Sequence, residues 1–313
     1  MPFEIDLPPD SESISLERFV ESVDSAGYDF RMDSDLIDCA KYLKELANNK
    51  TFLLDLLFAE LTDAAEFQSA NLYGPQVLIL HRAEKYFVRA NVWKPISEME
   101  KAVPDFQYDV CHDHNFDILT VGYLGPGYCS RTYTYDSSAV VGALGEKVDL
   151  VPGGLFTLHK GTVALYRAKK DVHIQLPPEE LSISLNLIPK NDKTDELQLQ
   201  FDEETGCIRR YLQSSGSETV VRFAGLLGQE SWLELLGRIA ATHPSPQMRA
   251  LALVSQCRIA PELCSSIGPQ ANDGRAELIA NIVRRELEDY GACLRGLEPV
   301  RGSEQTCAFG KHA

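Results

Sequence analysis

The sequence lacks the patterns that would place the chain in a membrane or cross-link it. It contains no run of 18 apolar residues, which a membrane-spanning helix requires, and its first residues are acidic where a signal peptide would be basic. Its eight cysteines include no C-x-x-C pair, so neither a structural zinc site nor a disulfide framework is indicated. We therefore expect a cytoplasmic protein with reduced thiols.

Basic charge is also scarce. The chain has 30 Lys and Arg against 46 Asp and Glu, a formal net charge of −16, so nucleic acid and anionic membranes are not expected partners. No G-x-S-x-G elbow, Walker loop or Rossmann glycine loop is present. The Gly-Pro-Gly of residues 125–127 joins two β-rich runs and predicts a hairpin turn, not a phosphate-binding loop.

The remaining pattern predicts an α+β protein of ordinary globular composition, with 44% apolar and 24% charged residues. Apolar residues recur at helical spacing in 1–75, which predicts an N-terminal helical layer. Residues 76–213 contain many short β-rich runs, typical of an antiparallel sandwich or barrel. Residues 214–295 return to helical spacing, with a HEAT-like pair and a third helix over 274–290, and 296–313 predicts a flexible tail.

The first candidate functional residues are His112 and His114, two of only seven histidines. In a strand, side chains two positions apart leave from the same face, so both imidazoles would aim at one point and Asp113 would point the other way. That arrangement suits a metal ion. A solvated His-x-His at a strand edge is the alternative.

A catalytic metal needs a third ligand and an open position for substrate. His173 is the preferred candidate because it lies in a β-rich run that could face the same interior as His112 and His114. His81 ends a strand and His159 precedes a turn, so we rank them lower.

These residues resemble the two motifs of the cupin superfamily. The first motif is matched by His112, His114 and Gly122, and the second by a glycine-led strand that ends in His173 and is followed by Asn186. The resemblance covers roughly residues 76–201. It implies a central antiparallel β-barrel, the cupin-like jelly roll or double-stranded β-helix, flanked here by N- and C-terminal helices.

The ligand set narrows the resemblance further. Many cupins with a His-x-His motif place a Glu four or five residues later, where this chain has Ile118 and Leu119, and Asp117 falls one step short. A site of three histidines without a carboxylate resembles that of the thiol dioxygenases, whose Fe(II) binds the thiolate and amine of a cysteine-like substrate. The resemblance implies that His112, His114 and His173 bind Fe(II) and that O2 is the co-substrate.

Arg89 lies in a segment that resembles the early strand of the same family, in which an Arg binds the substrate carboxylate. Guanidinium suits that role because it makes bidentate, charge-assisted hydrogen bonds. A structural ion pair, or a place on the outer face, is the alternative. Tyr123, Tyr166, Tyr133 and Arg131 lie on neighbouring strands and would either line the pocket or pack structurally.

Three classes of function remain open. The first is a non-haem Fe(II) dioxygenase that oxidises a small amino-acid-like or thiol substrate. The second is a non-redox, metal-dependent isomerase or hydrolase. The third is a non-catalytic ligand-binding module whose helical flanks provide interaction surfaces, including that of a possible homodimer.

Overall fold

The computed structural model describes two compact units, Met1–Ser215 and Gly216–Ala313. The described residues are 1–8, 12–62, 68, 71, 73–74, 76–98, 108–190, 197–213, 216–265 and 279–288. The predicted flexible tail of 296–313 lies outside these ranges, as do the two ends of the helix predicted over 274–290.

Three helices form a layer in the first unit: α1 (Leu16–Ala26), α2 (Asp33–Asn48) and α3 (Phe52–Leu61). α1 begins after Ser15, whose hydroxyl accepts a hydrogen bond from the Arg18 N–H and so caps the helix. All three helices contribute buried apolar side chains to one core shared with the neighbouring sheet. They follow the apolar spacing from which helices were predicted.

The strands of this unit pair antiparallel throughout. They are β1 (Phe3–Ile5), β2 (Val77–Arg82), β3 (Tyr86–Trp93), β4 (Ile118–Leu124), β5 (Cys129–Thr134), β6 (Val151–Thr157), β7 (Val163–Tyr166), β8 (Asp171–Leu176), β9 (Ser182–Pro189), β10 (Leu199–Phe201) and β11 (Ile208–Tyr211). β1 and β11 were not predicted. One of the β-rich runs within 76–213, residues 147–150, forms only an isolated bridge, between Lys147 and Cys207.

The first sheet has six strands in the order β1-β7-β4-β9-β3-β2. Successive side chains along each strand point to opposite sides of this sheet, which therefore has two different faces. On β3, Tyr86, Val88 and Ala90 pack in the core shared with the helices, whereas Trp93 packs in the cluster on the opposite face and Arg89 has the same parity as Trp93. Arg89, the candidate residue on β3, therefore points away from the helices.

The second sheet is built from β6-β5-β8 and the pair β10-β11. His112 joins these two parts, because it bridges His173 of β8 on one side and Gln200 of β10 on the other. The described strands thus form two open, facing sheets, and the closed barrel that we expected is not present among them. The sheets end at β1 and β2, and at β6 and β11, with no strand ladder joining those edges.

The second unit is helical in its described residues, with α4 (Gly216–Leu227), α5 (Leu233–Thr242), α6 (Pro246–Ile259) and α7 (279–288). α6 is capped by Ser245 and buries most of its surface, since α4 and α5 both pack against it. α5 and α6 correspond to the predicted HEAT-like pair. α4 was not predicted.

Two further expectations concern the cysteines and membrane-spanning helices. The cysteines in the described residues, six of the eight, are free thiols. Within the same ranges, no helix has both the length and the apolar character that crossing a bilayer demands.

Candidate metal centre

His112, His114 and His173 converge on one point between the two sheets. The Nε2 atoms of His114 and His173 lie 3.0 Å apart, and those of His173 and His112 lie 3.3 Å apart. Metal–nitrogen bonds of about 2.1 Å place two ligand atoms about 3.0 to 3.4 Å apart at octahedral or tetrahedral angles. Two of the three pairs therefore have the spacing of ligands on one ion. All three ligand nitrogens lie within 4.8 Å of one another, and the three histidines are the one such group of His, Cys, Asp or Glu found in the described residues.

Backbone pairing positions two of the ligands. The His112 N–H donates to the His173 carbonyl at 3.1 Å, and the His173 N–H donates to the His112 carbonyl at 3.0 Å. Residues that exchange both hydrogen bonds in an antiparallel pair stand directly opposite each other, with side chains on the same face. The third ligand, His114, lies just beyond this bridge.

The strand predicted through 111–122 is present only in part, because regular pairing resumes at Ile118. His114 is instead fixed by the turn between β7 and β8, where the Lys169 N–H donates to the His114 carbonyl at 2.8 Å. Its ring nevertheless lies 4.9 Å from that of His112. The two imidazoles share one side without a regular strand between them.

Asp113 points away from the imidazoles, as alternation predicts. Its buried carboxylate accepts hydrogen bonds from the Tyr135 hydroxyl (2.7 Å), the Lys169 ammonium (2.9 Å) and the Leu199 N–H (2.6 Å). These contacts fix the segment between the first two ligands. Asp113 therefore positions the site without joining it.

The histidines are neutral, which is the form that binds a metal. The Nδ1 of His112 lies 2.8 Å from the Val110 carbonyl, which can only accept, so Nδ1 carries the proton and Nε2 keeps its lone pair. Burial lowers the pKa of His112, and burial followed by the adjacent His112 holds the pKa of both His114 and His173 well below the usual value.

The close nitrogen contacts fit a bound cation. His112 Nε2 carries no proton, so its contact with His173 Nε2 joins two lone pairs unless His173 Nε2 is protonated, and a proton there is shared with only one of its two neighbours. A metal ion satisfies all three lone pairs at once. The donor set therefore fits a metal of the kind that binds neutral imidazole.

The other proposed ligands lie elsewhere. Asp117, the carboxylate one step short of the position where many cupins have a fourth ligand, accepts a hydrogen bond from the Ala168 N–H at 2.7 Å. His81 packs beside Tyr86, whose side chain faces the helices. His159 is exposed. The structure thus brings together the three predicted histidines and none of these alternatives.

Arg89 is buried near the histidines. Its side chain is 7% exposed, its Nε has no hydrogen-bond partner among the described residues, and its guanidinium lies 5.1 Å from the ring centre of Tyr73. No acidic side chain of the described ranges lies within ion-pair distance of it, so the alternative of a structural ion pair has no support there. The positive charge of Arg89 also contributes to the lowered pKa of His114, after burial and the other two histidines.

Tyr166 packs directly on a ligand, with its ring 4.8 Å from that of His173. Burial, followed by the neighbouring Tyr128, raises the pKa of Tyr166 well above its usual value. Tyr128 was missed by the sequence analysis. It follows the Gly127 turn, outside any regular strand, and packs 4.2 Å from Trp93.

Tyr123 is not part of the site, contrary to the sequence-based prediction. It has the parity of Leu119 and Val121, so it faces the helices, packs on Phe52 and donates its hydroxyl to the Asn49 carbonyl at 3.0 Å.

Tyr133 and Arg131 also lie away from the histidines. Both bond to the carboxylate of Glu203, at 2.6 and 2.8 Å. They alternate with Thr132, which stands directly opposite His173, and therefore point to the other face of the second sheet.

Comparison with known proteins leaves the family open, since no protein-family model and no curated protein matches the chain. Similar solved structures include a hydroquinone 1,2-dioxygenase in complex with Cd2+ and 4-hydroxybenzonitrile, at 13% identity over 44% of this chain and 77% of that chain, with a TM-score of 0.26. A prolyl 4-hydroxylase from Phytophthora capsici shares 15% identity over 81% and 74% (TM-score 0.23), and a cupin 2 conserved barrel domain protein from Rhodopseudomonas palustris shares 12% over 41% and 79% (TM-score 0.14). At these TM-scores the likenesses carry no argument, and the proposal below depends on the site.

Proposed function

We propose that this protein is a metal-dependent oxygenase of cupin type, in which His112, His114 and His173 bind Fe(II). The observation that carries the proposal is the convergence of three neutral imidazoles, two of them buried and that of His114 half-buried, with Nε2 contacts of 3.0 and 3.3 Å. Such a set leaves coordination positions open, and iron bound this way supplies the redox chemistry by which O2 oxidises a substrate.

The buried Arg89 favours a small substrate that carries a carboxylate, such as an amino-acid-like thiol. A buried guanidinium without a counter-ion among the described residues is costly, and a carboxylate would offset that cost through two parallel hydrogen bonds. Arg89 lies on the sheet face that carries Tyr166, whose ring packs 4.8 Å from that of the ligand His173, so a small carboxylate held by Arg89 would lie on the same side of the sheet as the ligands.

Tyr166 would hold a proton beside the reacting centre. Its raised pKa keeps the phenol protonated, so the hydroxyl, which has no hydrogen-bond partner among the described residues, can donate to a substrate and does not compete as an anionic ligand. Its neighbours are Tyr128 and Ser130. This group is suited to orienting substrate and transferring a proton at the Tyr166 oxygen.

Apolar side chains border the site on the face of the first sheet. Trp93, Phe156 and Ile188 belong to a buried apolar cluster between the sheets, which also includes Tyr166. An apolar wall strengthens the interaction between Arg89 and an anion, since the local dielectric is low.

A non-redox hydrolase or isomerase is the second candidate, because a set of three histidines without a carboxylate also suits catalytic zinc. The deciding experiment loads metal-free protein anaerobically with Fe(II), then measures oxygen uptake with L-cysteine, cysteamine and a panel of small amino acids. Substrate-dependent oxygen uptake that requires iron supports the oxygenase. Tightly bound zinc with no oxygen uptake would favour the second candidate, and bound iron without substrate-dependent uptake would favour a binding module.

A further inference from the structure

Arg89, Asn186 and Thr120 form a row across the first sheet. Arg89 of β3 stands opposite Asn186 of β9, which in turn stands opposite Thr120 of β4. Directly paired residues project from the same face, and neighbouring strands lie about 4.8 Å apart, so the row spans roughly 10 Å. Its face is the one that carries Trp93 and Tyr166, toward the histidines.

Each member of the row is buried and incompletely bonded. The exposed fractions are 7% for Arg89, 4% for Asn186 and 1% for Thr120. Arg89 Nε, Asn186 Nδ2 and Thr120 Oγ1 have no hydrogen-bond partner within the described part of the chain. Buried polar groups are normally paired, so three unpaired groups in one row indicate a surface arranged to receive a ligand.

The chemistry of the row defines the ligand. Arg89 is its only charged member, so the part of a ligand beside Asn186 and Thr120 is uncharged. The Asn186 amide nitrogen donates, and the Thr120 hydroxyl both donates and accepts. A hydroxyl group on the ligand accepts from Asn186 while donating to Thr120, and so satisfies both atoms at once.

We infer that Arg89, Asn186 and Thr120 together form a substrate-binding row for a small hydroxy acid, with Arg89 on the anionic group and Asn186 and Thr120 on an uncharged hydroxyl. The inference rests on the proposed function and deepens it by naming the substrate class. Asn186 and Thr120 become specificity-determining residues of the same site.

Binding is measured with Zn(II)-loaded protein, in which iron-dependent oxidation does not occur, by calorimetry with two matched pairs of probes. The pairs are 4-hydroxybutyrate against butyrate, and L-homoserine against L-2-aminobutyrate. We expect the hydroxylated member of at least one pair to bind about tenfold more tightly, the usual contribution of hydrogen bonds to an otherwise unpaired site.

The variants Thr120→Val and Asn186→Leu should reduce that preference to about onefold without weakening the unhydroxylated probe, whereas Arg89→Met should weaken both members alike. A stability readout accompanies them. Thr132 is as buried as Thr120 but donates its hydroxyl to the Gly154 carbonyl at 2.9 Å. Thr120→Val should therefore raise the thermal midpoint or leave it unchanged, while Thr132→Val lowers it.

Equal binding within both pairs by wild-type protein would overturn the inference, and so would an unchanged preference in both variants. A fall in thermal midpoint for Thr120→Val as large as that for Thr132→Val would also count against it, since Thr120 would then have a structural partner. Failure of the proposed oxygenase activity is distinguishable, because it appears as absent oxygen uptake while these binding measurements proceed without iron-dependent oxidation.

Discussion

His112 and His173 face each other across one antiparallel bridge, each donating its backbone N–H to the other's carbonyl, with their Nε2 atoms 3.3 Å apart. The same backbone register that joins the two parts of the second sheet therefore also sets the spacing of two metal ligands. A shift of one residue would turn one imidazole to the opposite face. Metal affinity and the pairing of this bridge are thus coupled.

Lys169 should control metal affinity without touching the metal. It has a left-handed backbone (φ 54°), bonds the His114 carbonyl through its N–H, and bonds Asp113 through its ammonium. Lys169→Met removes the charge but keeps the length, and we expect metal affinity to fall about 10- to 100-fold. Competition of Co(II) between the protein and a chelator measures this. Lys170→Met, at the exposed neighbouring position, is the control and should bind as wild type does; equal affinity in both variants would exclude the role of Lys169.

Arg89→Met should separate substrate binding from metal binding. Because charged hydrogen bonds to a carboxylate are lost, we expect KM for L-cysteine or the best carboxylate substrate to rise about 10- to 100-fold while metal occupancy stays constant. Cysteamine, which has no carboxylate, is the control substrate and should be little affected. If KM changes equally for both substrates, Arg89 does not bind a carboxylate.

The metal-free protein should lose stability below about pH 6.5. His112, His114 and His173 have lowered pKa values when folded, whereas in the unfolded chain they titrate near the ordinary value of 6.5. The unfolded state therefore binds more protons as the pH falls through 6.5, and the free energy of unfolding decreases by about 1.4 kcal/mol per pH unit for each histidine. Above pH 6.5 these groups add no pH dependence.

Urea unfolding of metal-free protein at pH 7.5 and 5.5 tests this expectation. His173→Gln should show a smaller loss of stability than wild type between the two pH values, since one titrating group is gone. His159→Gln, at an exposed position, should lose as much as wild type. An identical pH dependence in wild type and His173→Gln would refute the assignment of a neutral, buried His173.

Tyr166 and Tyr123 provide a matched pair of tyrosines on opposite faces of one sheet. Tyr166→Phe removes a hydroxyl beside the ligands and should lower kcat by about 100-fold if that hydroxyl transfers a proton. Tyr123→Phe removes only the bond to the Asn49 carbonyl, and should cost about 1 kcal/mol of stability with kcat unchanged. Steady-state kinetics and thermal unfolding of both variants measure these effects, and equal kcat values would remove Tyr166 from the proposed chemistry.

The sequence predicted side-chain directions correctly where residues alternate between the two faces of a strand. Arg89 lies on a strand with one helix-facing and one inward face, and His112 and His173 lie on or beside strands of the second sheet that also have one inward face, so the direction of each side chain follows from its neighbours. The same rule, applied to Leu119 and Val121, would have placed Tyr123 against the helices. The prediction that Tyr123 belongs to the site could therefore have been avoided from the sequence alone.

Other features depend on tertiary contacts that no local pattern encodes. Tyr128 reaches the site through the packing of two sheets, and His114 is held by the Lys169 turn, which is distant in sequence. β1 has only three residues, too few to show a period. In α4, Gly225 lies against Ser255 of α6, where a Cβ would meet backbone at 2.9 Å, so close packing favours a residue that disfavours helices.

Metal stoichiometry tests the central claim most directly. Wild type, His112→Ala and His173→Ala are loaded anaerobically with Fe(II), freed of excess metal and measured by elemental analysis, with circular dichroism as the check on folding. We predict about one iron per wild-type chain and almost none in either variant with the fold retained, as expected when one of three ligands is lost. Full iron occupancy in both folded variants would contradict the three-histidine centre.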